Sequence, residues 1–318
     1  MPGVARDGER ESSSGGGQFV VLGSLNMDLV ARVASFPRAG ETVAGEDLMY
    51  LPGGKGANQA AALARLGASV RLAGCVGHDV FGDTLRASLQ HLGVDVTDVR
   101  IDPQAATGVA LIVVDAGGEN RIIVTAGANG RVDPEGSRAI AAALRPEDSL
   151  LMQLEIPIGS VSAAAASARE RGARVILNAA PARPLPSALL PLIDVLIVNE
   201  TEAAALAGES CVTPANAARV AGCLRRRGPG LVAITLGEAG AVVAYQGGTV
   251  ERPAPRVDVV DTTAAGDAFV GGFAAALGRT GDPALALAEG VAAGSAACRR
   301  LGAQPSLPDR REVEELLR

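Results

Sequence analysis

Residues 194–199, "DVLIVN", and residues 231–237, "LVAITLG", are two short apolar runs separated by Ala-rich segments. Neither run alternates apolar with polar residues, which is typical of strands buried on both faces. The segments between them, "ETEAAALAG" (200–208) and "AARVAGCLRRRG" (217–228), have helical composition. This strand–helix–strand order predicts neighbouring parallel strands.

The same alternation extends over most of the chain. Four more apolar runs are candidate strands: "FVVLG" (19–23), "SVRLAGCVG" (69–77), "SLLMQLE" (149–155) and "RVILNA" (174–179). Ala-rich helical stretches such as "NQAAALARLG" lie between the apolar runs. We therefore predict a three-layer α/β/α fold whose mostly parallel sheet is covered by helices on both faces.

Two segments interrupt this alternation. Residues 28–51 have strand-like patches around a Pro-Arg-Ala-Gly turn, and residues 107–127 predict a hairpin around Asp115–Gly118. Hairpins inserted in such folds commonly cover the carboxyl ends of the strands, where ligands bind. We expect one domain over residues 18–318 with a small β lid from about 28–51 and 107–125, preceded by a disordered Ser/Gly-rich tail at 1–17.

Composition excludes several classes of function. The net charge is −6 without a basic stripe, which disfavours nucleic acid as a partner. No apolar run approaches the ~18 residues that a membrane span needs. The polar N-terminus has no secretory signal, and the four cysteines lack zinc-site or CxxC spacing. We expect a cytoplasmic protein with reduced cysteines.

The stretch "LPGGKGANQ" (51–59) contains Lys55, the only lysine among 29 basic residues. It fits neither the Walker A template nor GxGxxG. One interpretation is a loop that bends into the helix "ANQAAALARLG". The other is that bare backbone amides, Lys55 and Asn58 converge at a helix N-terminus and donate hydrogen bonds to hydroxyls or an anion.

Two polar pairs follow apolar runs. Asn26 and Asp28, in "GSLNMDLV" (23–30), can grip adjacent sugar hydroxyls from one side of an extended segment, although Asp28 is equally suited to a turn. Asn199 and Glu202, in "VNETEAAALAG", fit a helix capping box. The alternative is that this pair orders water around a magnesium ion bound to phosphates.

The most informative segment is "VDVVDTTAAGDAFVGGFAAAL" (257–277). A strand-like run leads into Ala264-Ala265-Gly266-Asp267 and then a helix whose start is rich in small residues. Small residues allow close approach of a ligand, and free amides at a helix start attract phosphate. We interpret Asp267 as a base that accepts the proton of a hydroxyl attacking the phosphate. The alternative, an acid in the first turn that only complements the helix dipole, is disfavoured.

Together these segments resemble the ribokinase-like, phosphofructokinase-B-type carbohydrate kinases, from about Phe19 to Pro308. The motifs that carry the resemblance are "GSLNMDL", "FPRAGETV", "GGKGANQAAALARLGA", "GCVGHDVFG", "TGVALI", "AGAN", "LLMQLE", "NAAPAR", "VNETEA", "ITLGEAG", "DTTAAGDAFVGG" and "GAQPSLP". The resemblance implies a ribokinase-like fold and transfer of phosphate from ATP to the 5-hydroxyl of D-ribose, with Asp267 as general base.

The family's site residues map onto this chain as follows. The resemblance implies sugar contacts from Asn26, Met27, Asp28, Gly54, Lys55, Gly56, Ala57, Asn58, Glu155 and Asp267. It implies an anion hole of Ala264, Ala265, Gly266 and Asp267, and Mg²⁺ and phosphate organised by Asn199 and Glu202. It implies further ATP contacts from Thr235, Leu236, Gly237, Glu238, Ala239 and Gly240. It implies a monovalent cation, K⁺, at Asp261, Thr263, Ala297, Arg300, Gly302 and Ser306.

The resemblance also implies a homodimer formed through the lid strands, whose exposed edges pair between subunits. Two positions depart from the family's usual residues: Ala264 replaces the first Gly of GAGD, and Val291 stands where some members place a polar group beside adenine. Three alternatives stay open. They are the same chemistry on 2-deoxyribose, another pentose, fructose or a nucleoside; a non-catalytic sugar- or nucleotide-binding regulator; and an NAD-dependent oxidoreductase, which the failed fingerprint disfavours.

Overall fold

The structure is a computed structural model that describes residues 17–318. The predicted disordered tail therefore lies, except for Gly17, outside the described residues. The strands are β1 (Phe19–Leu22), β2 (Asn26–Val33), β3 (Gly45–Gly53), β4 (Val70–Gly77), β5 (Asp95–Asp102), β6 (Gly108–Val114), β7 (Asn120–Thr125), β8 (Ser149–Met152), β9 (Arg174–Asn178), β10 (Val195–Asn199), β11 (Leu231–Thr235), β12 (Ala241–Tyr245) and β13 (Gly248–Arg252). The helices are α1 (Lys55–Arg65), α2 (Val80–His91), α3 (Pro134–Ala142), α4 (Ile158–Glu170), α5 (Glu200–Ala207), α6 (Pro214–Arg225), α7 (Ala265–Thr280), α8 (Pro283–Ala297) and α9 (Arg310–Leu316).

The larger sheet has nine strands in the order β13-β12-β11-β10-β9-β8-β1-β4-β5. All neighbours from β11 to β5 pair in parallel, whereas β12 and β13 run antiparallel at one edge. The predicted mostly parallel sheet is confirmed, and the six apolar runs predicted as strands belong to it. The strand predicted in residues 257–261, before Thr262, is wrong: that segment is irregular. The sequence analysis did not identify β5, β12 or β13, which form the edges of the sheet.

Helices cover both faces of this sheet, as predicted. One apolar cluster joins α1, α2, α7, α8 and α9 to side chains such as Val21 and Leu72, and the other joins α3, α4, α5 and α6 to side chains such as Val20 and Leu22. Successive residues of β1 thus enter opposite clusters, because side chains alternate across a strand. The core contains few aromatic side chains, and Ala-rich helices fill it by packing closely together. Gly271 of α7, for example, lies against Ala62 of α1.

The second sheet has four strands in the order β3-β2-β6-β7. Strand β2 pairs antiparallel with β3 and parallel with β6, and β6 forms a hairpin with β7. Both predicted irregular segments therefore contribute to one small sheet beside the main one. Within residues 17–318, no helix has the length and apolarity that crossing a membrane requires.

Candidate functional site

Two adjoining cavities lie where β9, β10 and β11 end and α1, α5 and α7 begin. The smaller has a volume of about 230 Å³ and is lined by Lys55, Asn199, Glu202 and Asp267, among others. The larger, of about 1320 Å³, is lined by the segment after β11 and by parts of α7 and α8. Thr235, Thr262 and Gly266 line both cavities, so a ligand in one can contact a ligand in the other.

Asp267 lines the smaller cavity from the first turn of α7, and only 7% of it is exposed. The Asn58 side-chain amide donates to its Oδ2 at 2.9 Å, and that of Gln59 donates to its Oδ1 at 2.9 Å. Burial raises the pKa of Asp267, while the Lys55 charge and these two hydrogen bonds act in the opposite direction. The result is a buried carboxylate whose basicity exceeds that of an ordinary aspartate.

The start of α7 presents unused donors beside this carboxylate. Ala264, the N-cap, has a left-handed backbone with φ of 58°, the conformation that the glycine it replaces would adopt without steric cost. The Ala265 amide donates to the Thr262 carbonyl, but the amides of Gly266 and Asp267 have no acceptor among residues 17–318. Two free amides at a helix N-terminus form a site for an anion.

Lys55 brings a positive charge into the smaller cavity. Burial lowers the pKa of its ammonium, but the nearby carboxylates of Asp267, Glu155 and Glu202 outweigh this effect and raise it. The lysine is therefore charged at neutral pH. The sequence analysis placed it with the sugar contacts; the structure places its side chain in the same cavity as the helix N-terminus and Asp267.

The prediction of bare amides is wrong for Lys55, Gly56, Ala57 and Asn58. The amide of Lys55 donates to Glu155 Oε2 at 3.1 Å, and those of Gly56 and Ala57 donate to the Oγ and carbonyl oxygen of Ser24. The Asn58 amide donates to the Gly54 carbonyl, which closes the first turn of α1. Gly54, with φ of 90°, permits the sharp entry into this helix. Polar side chains, rather than these amides, are left to contact a ligand.

Asp28 lies against Gly53 of β3 and lines neither cavity, although its carboxylate is close enough to those of Glu155 and Asp267 to feel their charge. A Cβ at Gly53 would lie 2.2 Å from Asp28 Oδ2, so only glycine leaves room for this carboxylate. Burial, together with the charges of Glu155 and Asp267, raises the pKa of Asp28 to about 7. Asn26, on the same side of β2, accepts a hydrogen bond from Asn129 Nδ2 at 2.8 Å.

Two residues that the resemblance assigned to the sugar cannot contact it through their side chains. Met27 and Ala57 are 2% and 0% exposed and pack in the apolar cluster on the α1 side of the sheet. Met27 points away from Asn26 and Asp28 because neighbouring side chains of a strand face opposite sides.

Asn199 and Glu202 form the capping box of α5, with reciprocal hydrogen bonds of 2.9 Å. The helix-cap interpretation is therefore confirmed. The box uses only Oε2 of Glu202, and Oε1 makes no hydrogen bond to any described residue. Because Glu202 also lines the smaller cavity, its carboxylate can still act on a hydrated cation. Within residues 17–318 no group of three or more His, Cys, Asp or Glu side chains is arranged to hold a metal ion.

The larger cavity contains most of the residues assigned to ATP. Thr235, Gly237, Glu238, Ala239 and Gly240 line it. Leu236 does not: it is 8% exposed and packs in the cluster on the α6 side, so its side chain is unavailable to a nucleotide.

Phe269 and Val291 contribute apolar surface to the lining of this cavity. A flat aromatic base could lie there against apolar surface, with no polar group from position 291. Arg256 and Arg299 also line the cavity, although the sequence analysis did not single them out.

The six residues assigned to a monovalent cation form two hydrogen-bonded groups, one around Asp261 and one around Arg300. Asp261 accepts hydrogen bonds from the amide and Oγ1 of Thr263 and from the amide of Gly302. Arg300 donates to the Ser306 carbonyl oxygen at 3.2 Å, and its amide donates to the Ala297 carbonyl. A cluster of carboxylate and carbonyl oxygens offers the hard ligands that such a cation needs.

Sequence reasoning missed four polar residues of the site. Ser24 donates to Glu155 at 2.6 Å, and Gln59, Gln153 and Asn178 form a buried network that reaches Asp267. Gln153 and Asn178 lie near the carboxyl ends of two apolar runs that were predicted as strands. A polar residue at that position could have indicated a role in the site. Gln59 belongs to the quoted motif "GGKGANQ".

Comparisons with known proteins agree with this geometry. The model of the pfkB family carbohydrate kinases matches residues 17–310. Ribokinase from Haemophilus influenzae is 40% identical over 299 residues, covering 94% of this chain and 98% of that protein. Deoxyribokinase from Salmonella typhi is 34% identical over 300 residues, covering 94% and 98%.

A solved structure of Arabidopsis thaliana ribokinase, complexed with ribose and ATP, superposes with a TM-score of 0.85 at 32% identity. It covers 95% of this chain and 99% of its own. The fold, the order of the motifs and the near-complete coverage of these relatives agree. The chain belongs to the pfkB family of carbohydrate kinases.

Proposed function

We propose that this sugar kinase transfers the γ-phosphoryl group of ATP to the 5-hydroxyl of D-ribose. The observation that carries the proposal is the position of Asp267, a buried carboxylate that lines the smaller cavity beside the free amides at the N-terminus of α7. The 40% identity to a ribokinase over nearly the whole chain supports ribose as the acceptor.

The sugar would be held by side chains on its ring hydroxyls. Asp28 and Asn26 face one side of β2 and suit adjacent hydroxyls, because a carboxylate accepts while an amide both donates and accepts. Glu155, fixed by Ser24 and the Lys55 amide, would accept from another hydroxyl. The 5-hydroxyl would then point at Asp267.

In the reaction the 5-oxygen attacks the γ-phosphorus, the bond to the ADP oxygen breaks, and the hydroxyl proton passes to Asp267. The transition state of phosphoryl transfer is loose, so alignment and charge stabilisation contribute more than base strength. The amides of Gly266 and Asp267 and the Lys55 ammonium would stabilise charge on the transferring group. The adenine would occupy the larger cavity, against the apolar side chains of Phe269 and Val291.

Two ions belong to the proposal. Glu202 and Asn199 would hold hydrated Mg²⁺, which supplies neutralising charge to the phosphates when bound. K⁺ would bind among the oxygens of the Asp261 cluster, which lies between the end of α8 and the loop before α7. Relatives bound to ATP or ADP support the nucleotide assignment.

We also propose a homodimer through the small sheet. Tyr50, Leu29, Leu111 and Ile123 lie opposite one another across its four strands, and Tyr50, Leu111 and Ile123 are 56%, 42% and 64% exposed. An apolar row on a sheet with open edges suits a second copy of the same sheet. Sedimentation velocity should show a dimer that Ile123→Asp dissociates; a monomeric wild-type protein would contradict this.

The test of the function is a panel of acceptors in an ADP-release assay: D-ribose, 2-deoxyribose, D-fructose and a nucleoside. Ribose should give the highest kcat/KM, and Asp267→Asn should retain folding and ribose binding but lose most turnover. Preference for 2-deoxyribose would assign the alternative that the deoxyribokinase relatives suggest. Absence of turnover with every acceptor would instead favour a non-catalytic binding protein.

A further inference from the structure

A chain of buried amide side chains ends on the carboxylate of Asp267. Gln59 Nε2 donates to Asp267 Oδ1 and to Asn178 Oδ1, each at 2.9 Å. Gln59 Oε1 accepts from Gln153 Nε2 at 2.7 Å, and Asn178 Nδ2 donates to the Ile197 carbonyl at 3.1 Å. The network links α1, the residue after β8, β9 and β10 to the first turn of α7.

The charge of the carboxylate determines the direction of every bond in this network. An ionised carboxylate can only accept, so the nitrogen of Gln59 must face Asp267 and its oxygen must face Gln153. Gln59 and Gln153 are both 0% exposed, which leaves no room for water to replace either contact. The buried Oε1 of Gln153 has no partner in the described part of the chain. Leaving this oxygen without a hydrogen bond costs free energy, and the side chain nevertheless keeps the orientation in which its nitrogen donates to Gln59.

Gln59 cannot act on a substrate directly. It has no exposed surface and lines neither cavity, whereas Asp267 lines the smaller one. Its only route to the chemistry is through the carboxylate. Together with Asn58 on Oδ2, it holds both oxygens of Asp267 from the side of α1, leaving their remaining lone pairs for a proton.

We propose that Gln59 is a positioning residue that fixes the carboxylate plane of Asp267, and that Gln153 and Asn178 in turn fix the Gln59 amide. The inference rests on the proposed function, since it takes Asp267 as the base. It does not depend on the identity of the sugar.

Four other charged side chains near Asp267 also affect its pKa. They are Lys55 on α1, Glu155 after β8, Glu202 on α5 and Asp28 on β2. The lysine favours the ionised form and the three acids oppose it. Removing the Gln59 donor should therefore raise the pKa of Asp267 further and move the acid limb of the kcat profile to higher pH.

The test compares Gln59→Met with Gln153→Met, and uses Ser160→Ala as the matched control. Ser160 is also 0% exposed and loses one buried hydrogen bond, to the Val132 carbonyl, on the opposite face of the sheet. Each protein is assayed for kcat, the KM of both substrates, the pH profile of kcat and urea stability. The sugar is the best acceptor from the panel.

For Gln59→Met we expect kcat to fall about 10- to 100-fold, the effect of losing one hydrogen bond to a charged group, with the sugar KM within about threefold. The acid limb should move to higher pH. Gln153→Met should change kcat and the acid limb in the same direction by less, although it leaves Asp267 untouched. Ser160→Ala should lose stability without a change in kcat.

A normal kcat and an unmoved acid limb in Gln59→Met would overturn the inference. If that variant does not fold, Gln153→Met decides in the same way. Asp267→Asn distinguishes failure of the proposed function from failure of this inference. Activity in that variant would refute the role of Asp267 as the base and hence the proposed function. An inactive Asp267→Asn with a normal Gln59→Met refutes only the positioning role.

Discussion

Replacing Asp28 with asparagine tests whether the sugar site lowers the stability of this fold. The carboxyl lies under Gly53, near Glu155 and Asp267, and its pKa rises from 3.8 to about 7. A raised carboxyl pKa means that the folded protein holds the proton more tightly than the unfolded chain does. Its contribution to stability is therefore present below about pH 4 and is lost as the pH rises to about 7.

The size of this loss follows from the pKa difference. Each pKa unit corresponds to about 1.4 kcal/mol. At pH 8 the ionised Asp28 should therefore lower the free energy of unfolding by about 4 kcal/mol, and at pH 5 by about 2 kcal/mol. Asparagine keeps the shape of the side chain and carries no charge. Asp28→Asn should be more stable than wild type by these amounts, while its affinity for the sugar falls.

The assay is urea unfolding followed by far-ultraviolet circular dichroism at pH 5 and pH 8, because the chain has no tryptophan to report on unfolding. Asp47→Asn, an exposed acid on β3, serves as the control and should leave the unfolding free energy unchanged at both values. Equal stability of Asp28→Asn and wild type at pH 8, or a gain that does not grow with pH, would refute the reasoning.

Three further predictions concern the close contacts of the site. Lys55→Met should lower kcat by about 100-fold or more, since it removes the cation beside Asp267; steady-state kinetics would contradict this if only the KM changed. Gly53→Ala should raise the ribose KM at least about tenfold, because the new Cβ would lie 2.2 Å from Asp28 Oδ2; unchanged binding in calorimetry would disprove the steric argument. Gly271→Ala places a Cβ 2.5 Å from that of Ala62 and should lower the unfolding free energy by about 1–3 kcal/mol. An unchanged urea midpoint would show that α1 and α7 separate freely.

Much of the fold could be predicted from local patterns. The apolar runs at β1, β4, β8, β9, β10 and β11 are buried on both faces, so their composition alone identifies them. Strand β5 lies at the edge of the sheet and pairs only with β4, so it can carry many polar residues. This pattern is harder to distinguish from a loop. The hairpin of β12 and β13 reverses the sheet direction at its edge, which no periodicity in the sequence signals.

The candidate site divides in the same way. The motif around Asp267 could be interpreted from the chain, because small residues before a helix indicate a helix N-terminus open to an anion. Whether the amides between Lys55 and Asn58 are free could not be predicted. Their acceptors Ser24 and Glu155 belong to the segments that follow β1 and β8, and these segments meet α1 only in the folded protein.

The sequence by itself determined the element types, the mostly parallel sheet and the family, because these depend on local composition and on motif order. Only the tertiary structure decided which donors are free, why Asp28 and Asp267 are more basic than ordinary aspartates, and why Gln59 belongs with the base. Those properties depend on burial and on partners up to 209 residues apart, as between Asn58 and Asp267. Such contacts exist only once α1 and α7 pack against the same sheet.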